Sequence, residues 1–269
     1  MTHPHSIAHE LAEIHYLDSA LTPRQMRKLE RKTKKHDSQC QKSTQLPTNL
    51  AKEYSEKKPF NLVPKTKTQG DQILSLKTNM QTICLGPAGT GKTYVTAAWA
   101  AIEFDHGRIK KLVLTRPNIP AGPTLGLFPG SLQEKYANWL APLVSVIKEV
   151  LGEATFDIAL KRGDIIYQPM ETIRGASFDD AVIIADEAQN LTEQEMKALV
   201  TRIGENSKLI LDGDLKQKDI KAGSGLDWAI KTVKKSEFLN EHTGVIEFNS
   251  DDVVRSEICK AWIKAIENE

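Results

Sequence analysis

Eight consecutive residues, 86–93, combine the residue types that bind phosphate groups, in the order GPAGTGKT. Glycines let successive backbone N–H groups turn toward a phosphate, and the helix that follows adds the partial positive charge of its first turn. The ammonium of Lys92 can reach the β- and γ-phosphates of a nucleoside triphosphate, and the hydroxyl of Thr93 can ligate Mg²⁺. The pattern therefore predicts a site for ATP and Mg²⁺, whose candidate contacts are Gly86, Pro87, Ala88, Gly89, Thr90, Gly91, Lys92, Thr93 and Tyr94.

Two adjacent acids, Asp186 and Glu187, follow the apolar run AVIIA at 181–185. An acid at the end of a buried strand is the second half of such a phosphate site, so we expect Asp186 to hold Mg²⁺. Glu187 is a candidate general base for an attacking water. A kinase would not need this glutamate, because its nucleophile comes from the substrate. The pair therefore favours ATP hydrolysis over phosphoryl transfer to a small molecule.

Three glutamines are further candidates for nucleotide contacts. Gln217 follows a third apolar run, in GDLKQ, and could sense the γ-phosphate or the attacking water; an ordinary turn with a polar loop is the alternative. Gln69 and Gln72 lie upstream of the phosphate loop, at the distance where related ATPases place a glutamine on the adenine edge. We favour Gln69 for that role, and an exposed helix face is the alternative for both residues.

The elements that must position these residues alternate along the chain. Strand-like apolar runs are followed by helical patterns, which predicts an α/β fold with a mostly parallel sheet and helices on both faces. The predicted strands are 82–85, 111–115, 164–168, 181–185, 208–212 and 245–248. The predicted helices are 92–104, 131–151, 192–203, 225–235 and 251–266. Residues 117–130, rich in proline and glycine, are expected to form an irregular loop.

The first 60 residues differ from the remainder. Between Arg24 and Lys58, eleven Lys and Arg residues oppose four Asp and Glu residues, a net charge of +7, whereas the whole chain carries only +1. We therefore divide the chain into a basic, partly helical or disordered extension at 1–60, with a short helix opening at Thr22-Pro23, and an ATPase domain at 61–269. Three scattered cysteines and the absence of a long apolar run indicate no disulfide framework, no membrane span and a cytoplasmic protein.

Nine segments in one order resemble the PhoH family, over residues from about 65 to 266. They are GPAGTGKT at 86–93, LTRP at 114–117, LGLFPG at 125–130, IRG at 173–175, VIIADEAQN at 182–190, MKALVTRIG at 196–204, GDLKQ at 213–217, SGL at 224–226 and DVVR at 252–255. A local departure is Ala185, where a larger apolar residue is usual. The resemblance implies ATP binding and a RecA-like fold, similar to the first motor domain of superfamily 1 helicases. The short basic extension is similar to that of bacteriophage-encoded members, so the host cytoplasm is the expected compartment.

The same resemblance raises the question of an arginine for the γ-phosphate. Superfamily 1 helicases receive it from a second motor lobe, whereas the residues after Asp186 complete only one sheet here, so we expect a single lobe. Either hydrolysis is slow without this arginine, or a neighbouring subunit supplies it. Because single-lobed RecA-like ATPases commonly form rings, we expect a homo-oligomeric ring, with a hexamer favoured. The candidates are Arg255, Arg174, Arg116 and Arg202. Arg255 is expected on a helix at the ring interface, with a surface salt bridge to Asp251 or Asp252 as the alternative.

Two functions remain open. The first is an ATPase coupled to RNA or single-stranded DNA, in which the basic residues 24–35 contact phosphates and residues 115–117 lie along the strand backbone, as their counterparts do in helicases. The second is a nucleotide-gated, oligomeric interaction protein with little turnover, in which the amphipathic stretch 11–17 docks a partner. For the basic residues, a solubilising tail is the alternative to polymer binding.

Overall fold

The computed structural model describes residues 60–117, 132–217, 219–220 and 223–267, with only the backbone described for 132–135 and 267. The chain divides into two compact units, Met1–Pro59 and Phe60–Glu269. The helix expected at Thr22-Pro23 and most of the loop expected at 117–130 lie outside the described residues. The described residues all belong to the second unit.

Helices and strands alternate through this unit. Its strands are β1 (Gln81–Leu85), β2 (Lys111–Thr115), β3 (Ile165–Tyr167), β4 (Ala181–Ala185), β5 (Lys208–Gly213) and β6 (Thr243–Glu247). The helices described are α1 (Lys67–Thr78), α2 (Lys92–Asp105), α3 (Leu132–Trp139), α4 (Ala141–Leu151), α5 (Glu153–Arg162), α6 (Glu193–Val200), α7 (Gly225–Lys235), α8 (Glu237–His242) and α9 (Glu257–Glu267). Short 3₁₀ turns lie at Met170–Thr172, Ala188–Asn190 and Ser250–Asp252.

The six strands form one parallel sheet in the order β3-β2-β4-β5-β1-β6. Because every pair is parallel, all carboxyl ends meet at the same edge, where ligand sites of such sheets form. The phosphate loop follows β1 and the two acids follow β4. One strand, β5, lies between them, so the loop and the acids face each other across the end of β5. The predicted α/β fold, a parallel sheet with helices on both faces, is confirmed.

Two apolar layers cover the sheet. Helices α2 to α5 pack on one face against Leu112, Leu114, Val182 and Ile184, whereas α6 and α7 pack on the other face, which includes Val113. Successive residues of β2 and β4 therefore point to opposite faces, and both faces are buried. This explains the nearly continuous apolar runs of the two strands. Among the described helices, none has both the length and the apolar character needed to span a bilayer.

The helices differ from the prediction in three places. The helix expected at 131–151 is two helices, α3 and α4, because Pro142 in the first turn of α4 starts a new helix at Ala141. Three helices, α1, α5 and α8, were not among the predicted elements. The predicted start of the helix at 251–266 was wrong. A 3₁₀ turn ends at Asp252, Val253 is extended, and α9 begins at Glu257. Arg255 thus lies on a connecting segment and not on a helix surface.

Two glycines on neighbouring elements allow a matched test of the packing of α1 on β6. At Gly244 an added Cβ would collide with Ser75 Oγ and lie 2.7 Å from Asn79 Nδ2, whereas at Gly70 the nearest atom lies 3.9 Å away. We expect Gly244→Ala to lower the free energy of unfolding by about 1–3 kcal/mol through overpacking. Gly70→Ala should raise it by up to ~1 kcal/mol through helix propensity. Urea unfolding measures both, and equal effects of the two substitutions would contradict this packing.

Candidate nucleotide-binding site

The phosphate loop connects the end of β1 to the start of α2 and needs glycine at three positions. Gly86, Gly89 and Gly91 have φ angles of 136°, 84° and 85°, in the region that side chains rarely adopt. A Cβ at Gly86 would also collide with the backbone oxygen of Phe248, and one at Gly91 would lie 2.7 Å from Gln69 Nε2. The glycines thus serve both the loop's conformation and the close approach of neighbouring segments.

The side chain of Lys92 folds back onto its own loop. Its Nζ donates to the carbonyl oxygens of Gly86 at 2.6 Å and Pro87 at 2.8 Å. Burial lowers the pKa of Lys92, while the negative charges of Asp212 and Asp214 oppose that shift. The ammonium is therefore held by neutral acceptors, which a phosphate oxygen can replace with a stronger, charge-assisted hydrogen bond.

Thr93 and Asp186 come together although they are 93 residues apart in sequence. The Thr93 hydroxyl donates to Asp186 Oδ1 at 2.9 Å. A hydroxyl and a carboxylate are the oxygen ligands that Mg²⁺ takes from proteins when phosphate and water supply the others. No group of three His, Cys, Asp or Glu side chains among the described residues could hold a metal alone. The two side chains thus fit a cation that arrives with a phosphate-bearing ligand.

Glu187 adopts a left-handed backbone conformation, with φ of 53° and ψ of 38°. Such a conformation is unusual outside glycine and aspartate or asparagine, and at functional sites it aims a side chain. Glu187 Oε2 accepts from Gln189 Nε2 at 2.6 Å, and Oε1 lies 3.4 Å from a guanidinium nitrogen of Arg116. Its carboxylate therefore reaches the cavity with its orientation set by two neighbours.

Gln189 connects Glu187 to the segment that follows β5. Its Nε2 also donates to the backbone oxygen of Gln217 at 3.3 Å, and its Oε1 accepts from the backbone N–H of Asp214 at 3.1 Å. Gln217 is exposed and lines the cavity, and its carbonyl oxygen, not its side chain, contacts Gln189. Sequence reasoning missed Gln189 as a separate candidate, although it lies two residues after Glu187.

Asp212, at the end of β5, is a second residue that sequence reasoning missed. It is 1% exposed, and its Oδ1 accepts from Thr96 Oγ1 at 3.3 Å. Its Oδ2 has no hydrogen-bond partner among the described residues. Burial, reinforced by the charge of Asp186, raises the pKa of Asp212 to about 7. A neutral or half-protonated acid therefore lines the same cavity as the phosphate loop.

The two upstream glutamines are buried, so the interpretation of an exposed helix face was wrong for both. Gln69 Nε2 donates to the Thr90 carbonyl at 2.8 Å, and its Oε1 accepts from the backbone N–H of Lys65 at 2.7 Å. Gln72 Nε2 donates to the Lys92 carbonyl at 3.1 Å and to Thr96 Oγ1. Both side chains of α1 brace the phosphate loop, and Gln69 also lines the cavity.

A cavity of about 720 Å³ joins these residues. Its size is typical of sites for nucleotide-sized ligands. The sequence-predicted residues that line it are Gln69, Ala88, Gly89, Gly91, Lys92, Thr93, Tyr94, Asp186, Glu187, Gln217 and Arg255. Gly86, Pro87 and Thr90 lie in the same loop but are not part of the lining; their oxygens contact Lys92. Tyr94 is 40% exposed at the cavity wall.

The four candidate arginines lie in different places. Arg255 lines the cavity of its own chain, since Val254 N–H donates to the Gly89 carbonyl at 3.0 Å and the Arg255 Cγ packs 3.0 Å from the Cβ position of Gly89. Arg116 contacts the two acids of its own chain, at 3.4 Å each. Arg174 is exposed and outside the lining.

Arg202 donates to the Ala176 carbonyl and to Thr201 Oγ1, a structural role. Two of the four arginines, Arg255 and Arg116, thus reach the site or its acids within one chain. Arg255 therefore lines the cavity of its own chain, and the supply of an arginine by a neighbouring subunit stays a prediction.

Residues 61–267 match the family described as PhoH-like protein. The chain belongs to the PhoH family. A PhoH-like protein of Bacillus subtilis is 39% identical over 207 residues, which make up 76% of this chain and 64% of that protein. Protein PhoH of Escherichia coli is 33% identical over 208 residues, or 76% of this chain and 58% of that protein. This PhoH-family chain thus spans about three-fifths of the length of these relatives.

Two solved structures align with part of this chain. The large terminase of a thermophilic bacteriophage aligns with 76% of this PhoH-family chain and 50% of its own, with 12% sequence identity and a TM-score of 0.48. Pif1 helicase from Candida albicans aligns with 70% of this chain and 41% of its own, with 15% identity and a TM-score of 0.35. These likenesses concern the fold only.

The raised pKa of Asp212 predicts a pH-dependent stability. An unfolded aspartate has a pKa of about 3.9, whereas the folded value is about 7. The acid's contribution to stability is therefore fully present below pH ~4 and is lost as the pH rises through about 7. Asp212→Asn removes that loss, so the variant should be more stable than the wild-type protein at pH ~8, by up to ~4 kcal/mol.

The difference between Asp212→Asn and wild type should shrink toward zero as the pH falls to about 4. Chemical denaturation at several pH values, without nucleotide, measures it. The control is Asp227→Asn, which removes a carboxylate that is 46% exposed and paired with Lys231. If Asp212→Asn stabilised the protein by the same amount at every pH, the raised pKa assigned to Asp212 would be contradicted.

Proposed function

We propose that this PhoH-family chain binds ATP with Mg²⁺ in the cavity at the carboxyl edge of its sheet and hydrolyses it. The observation that carries the proposal is the 2.9 Å contact between Thr93 and Asp186, which joins the phosphate loop to the acids. Lys92 lies on the same loop, and its ammonium donates to carbonyl and hydroxyl oxygens. Hydrolysis of a nucleoside triphosphate needs a phosphate-binding loop, a cation site and a carboxylate oriented toward the attacking water.

Each side chain has a distinct role in this proposal. Lys92 leaves the carbonyls of Gly86 and Pro87 for phosphate oxygens, while Thr93 and Asp186 hold the cation. Mg²⁺, when bound, neutralises the charge that develops on the phosphate oxygens. Glu187 accepts the proton of the attacking water, in an orientation that Gln189 fixes. Gln217, whose backbone oxygen accepts from Gln189, responds to the γ-phosphate in this proposal.

Two substitutions separate binding from hydrolysis. Lys92→Ala should abolish nucleotide binding, because it removes the only charged donor that the phosphate loop itself carries. Glu187→Gln should bind ATP normally but hydrolyse it about 10²–10⁴-fold more slowly, since the phosphate and cation ligands remain. Binding of a fluorescent ATP analogue and release of phosphate measure the two steps.

The matched controls are Lys231→Ala and Glu193→Gln, which remove exposed side chains that form ion pairs on helices α7 and α6. Both controls should retain binding and turnover. Wild-type turnover in Lys92→Ala would end the assignment of the phosphate loop. Equal loss of binding in Lys92→Ala and Glu187→Gln would end the assignment of Glu187 as the base.

The proposed hydrolysis is coupled to RNA or single-stranded DNA in the cytoplasm. Two features support a polymer: the basic residues between Arg24 and Lys58, with their net charge of +7, and the segment 115–117, which leaves the sheet beside the catalytic acids. In this proposal residues 1–60 form an extension that adds phosphate contacts to the ATPase domain at 61–269.

Removing the positive charge of the extension tests that coupling. A variant with glutamine at the seven Lys and Arg residues between positions 24 and 35 should bind single-stranded RNA and DNA more weakly. Its affinity should also depend less steeply on salt, because fewer counterions are released. The control is a variant with glutamine at exposed lysines of α7. An unchanged salt dependence would leave the extension as a solubilising tail.

A nucleotide-gated interaction protein remains the second candidate, and one observation favours it. Ile258, Trp262 and Ile266, spaced four residues apart on α9, are 61–68% exposed. Such an apolar stripe suits a protein partner or a second copy of the chain. ATP turnover that is slow and unaffected by RNA or DNA would favour this candidate. Concentration-independent turnover from a chain that is monomeric at all dilutions would exclude the homo-oligomeric ring, with a hexamer favoured, that the sequence predicts.

A further inference from the structure

The acid pair at the end of β4 is contacted by a cation from its own chain. Arg116 donates from one guanidinium nitrogen toward Asp186 Oδ2 at 3.4 Å and to the Trp139 carbonyl at 3.2 Å. Its other terminal nitrogen lies 3.4 Å from Glu187 Oε1. The side chain of Arg116 is 27% exposed, and that of Asp186 is 7% exposed. The guanidinium thus lies within ion-pair distance of both acids.

The sheet itself places Arg116 there. Thr115 is the register partner of Ala185 in the pairing of β2 with β4, so Arg116 and Asp186 are the next residues along two adjacent strands. Asp186 N–H donates to the Thr115 carbonyl at 3.1 Å. The buried hydroxyl of Tyr136 accepts from Arg116 N–H at 2.9 Å and lies 3.0 Å from the Arg116 carbonyl oxygen. These hydrogen bonds hold the backbone of Arg116 beside the acid pair.

Arg116 contacts the acids without lining the nucleotide cavity. The lining of that cavity includes Asp186, Glu187 and Arg255 but not Arg116. An arginine that served the γ-phosphate would line the cavity, as Arg255 does. Arg116 instead neutralises two adjacent carboxylates, which would repel each other without a cation. The burial that raises the pKa of Asp186 is opposed first by the charge of Arg116.

Both carboxylate oxygens of Asp186 are engaged in this structure. Oδ1 accepts from the Thr93 hydroxyl, and Oδ2 lies beside Arg116. A divalent cation held by Thr93 and Asp186 would place two further positive charges beside the guanidinium. The two cations would repel each other across a partly buried site, where screening by water is weak.

We propose that Arg116 is a built-in counter-ion of the acid pair that competes with the divalent cation for Asp186. In the nucleotide-free protein Arg116 stabilises the acids; when the cation is bound, Arg116 keeps its contacts with Glu187 and the Trp139 carbonyl and releases Asp186. Arg116 is thus a positioning residue that sets how much divalent cation the site requires. The inference rests on the proposed function, that ATP and Mg²⁺ bind in this cavity.

Removing the charge should have opposite effects on the two states of the site. Arg116→Gln should lower the melting temperature of the nucleotide-free protein, because the acids lose their counter-ion. It should also lower the Mg²⁺ concentration that half-saturates binding of a fluorescent, non-hydrolysable ATP analogue, by about 3–10-fold. Arg116→Lys, which keeps the charge but not the fork of donors, should change both quantities less.

The control is Arg202→Gln, which removes an arginine whose partners are a backbone carbonyl and Thr201. It should alter the melting temperature without altering the Mg²⁺ requirement. Arg116→Gln could still bind the analogue but need as much Mg²⁺ as the wild-type protein, or more. That result would overturn the proposed role of Arg116 as a counter-ion and leave the proposed function intact. Wild-type protein that binds no analogue at any Mg²⁺ concentration would overturn the proposed function and the counter-ion with it.

Discussion

The hydroxyl of Thr93 and the carboxylate of Asp186 are 2.9 Å apart, and the rest of the site depends on the constraint that brings them there. Thr93 lies in the first turn of the helix after β1, and Asp186 follows β4, with β5 between the two strands. A shift of one residue in either pairing would turn the side chains of that strand to the opposite face. The parallel register of three strands therefore sets the separation of the phosphate loop from the acids.

The charges gathered at this edge are each compensated by neighbouring groups of the protein. Lys92, Asp186 and Asp212 are all at most 8% exposed, and an isolated buried charge would be costly. The cost of burying each charge is lowered in a different way. Lys92 donates to carbonyl oxygens, and Asp186 contacts Thr93 and Arg116. Asp212 has a pKa raised to about 7, which lets it stay partly neutral. A phosphate ligand with its cation would replace weak neutral contacts by charge-assisted ones. The observed contacts are thus compatible with folding and with replacement by a ligand's oxygens.

Local pattern was sufficient for the sheet and for the phosphate loop. The strands 111–115 and 181–185 were predicted to the residue, because buried parallel strands are short apolar runs bounded by polar ones. The phosphate loop could be located because its glycines and lysine act within eight consecutive residues. The burial of Gln69 and Gln72 could not be predicted from α1, since α1 is only weakly amphipathic and their partners lie 20 and 21 residues further along the chain.

The positions of the arginines were unpredictable for a related reason. Arg116 reaches the acids through the pairing of β2 with β4, a contact between residues 70 positions apart. Arg255 reaches the phosphate loop because the chain turns after β6. The side chain of Asn249 caps the 3₁₀ turn at Ser250–Asp252, and the N–H of Val254 then donates to the carbonyl oxygen of Gly89. Neither pairing leaves a periodic signal in the sequence.

The segment 253–255 contacts the phosphate loop, and this contact determines where Arg255 lies relative to the cavity. Gly89 accepts from Val254, and Arg255 is the next residue, so the conformation of the loop and the place of this guanidinium are coupled through one hydrogen bond. Ile263 of α9 also lies 3.7 Å from the Cβ position of Gly89, which ties α9 to the same glycine. A larger residue at position 89 would displace Arg255 as well as strain the loop. The chain can therefore bring an arginine to its own cavity through the segment 253–255, and a neighbouring subunit is not required for that purpose.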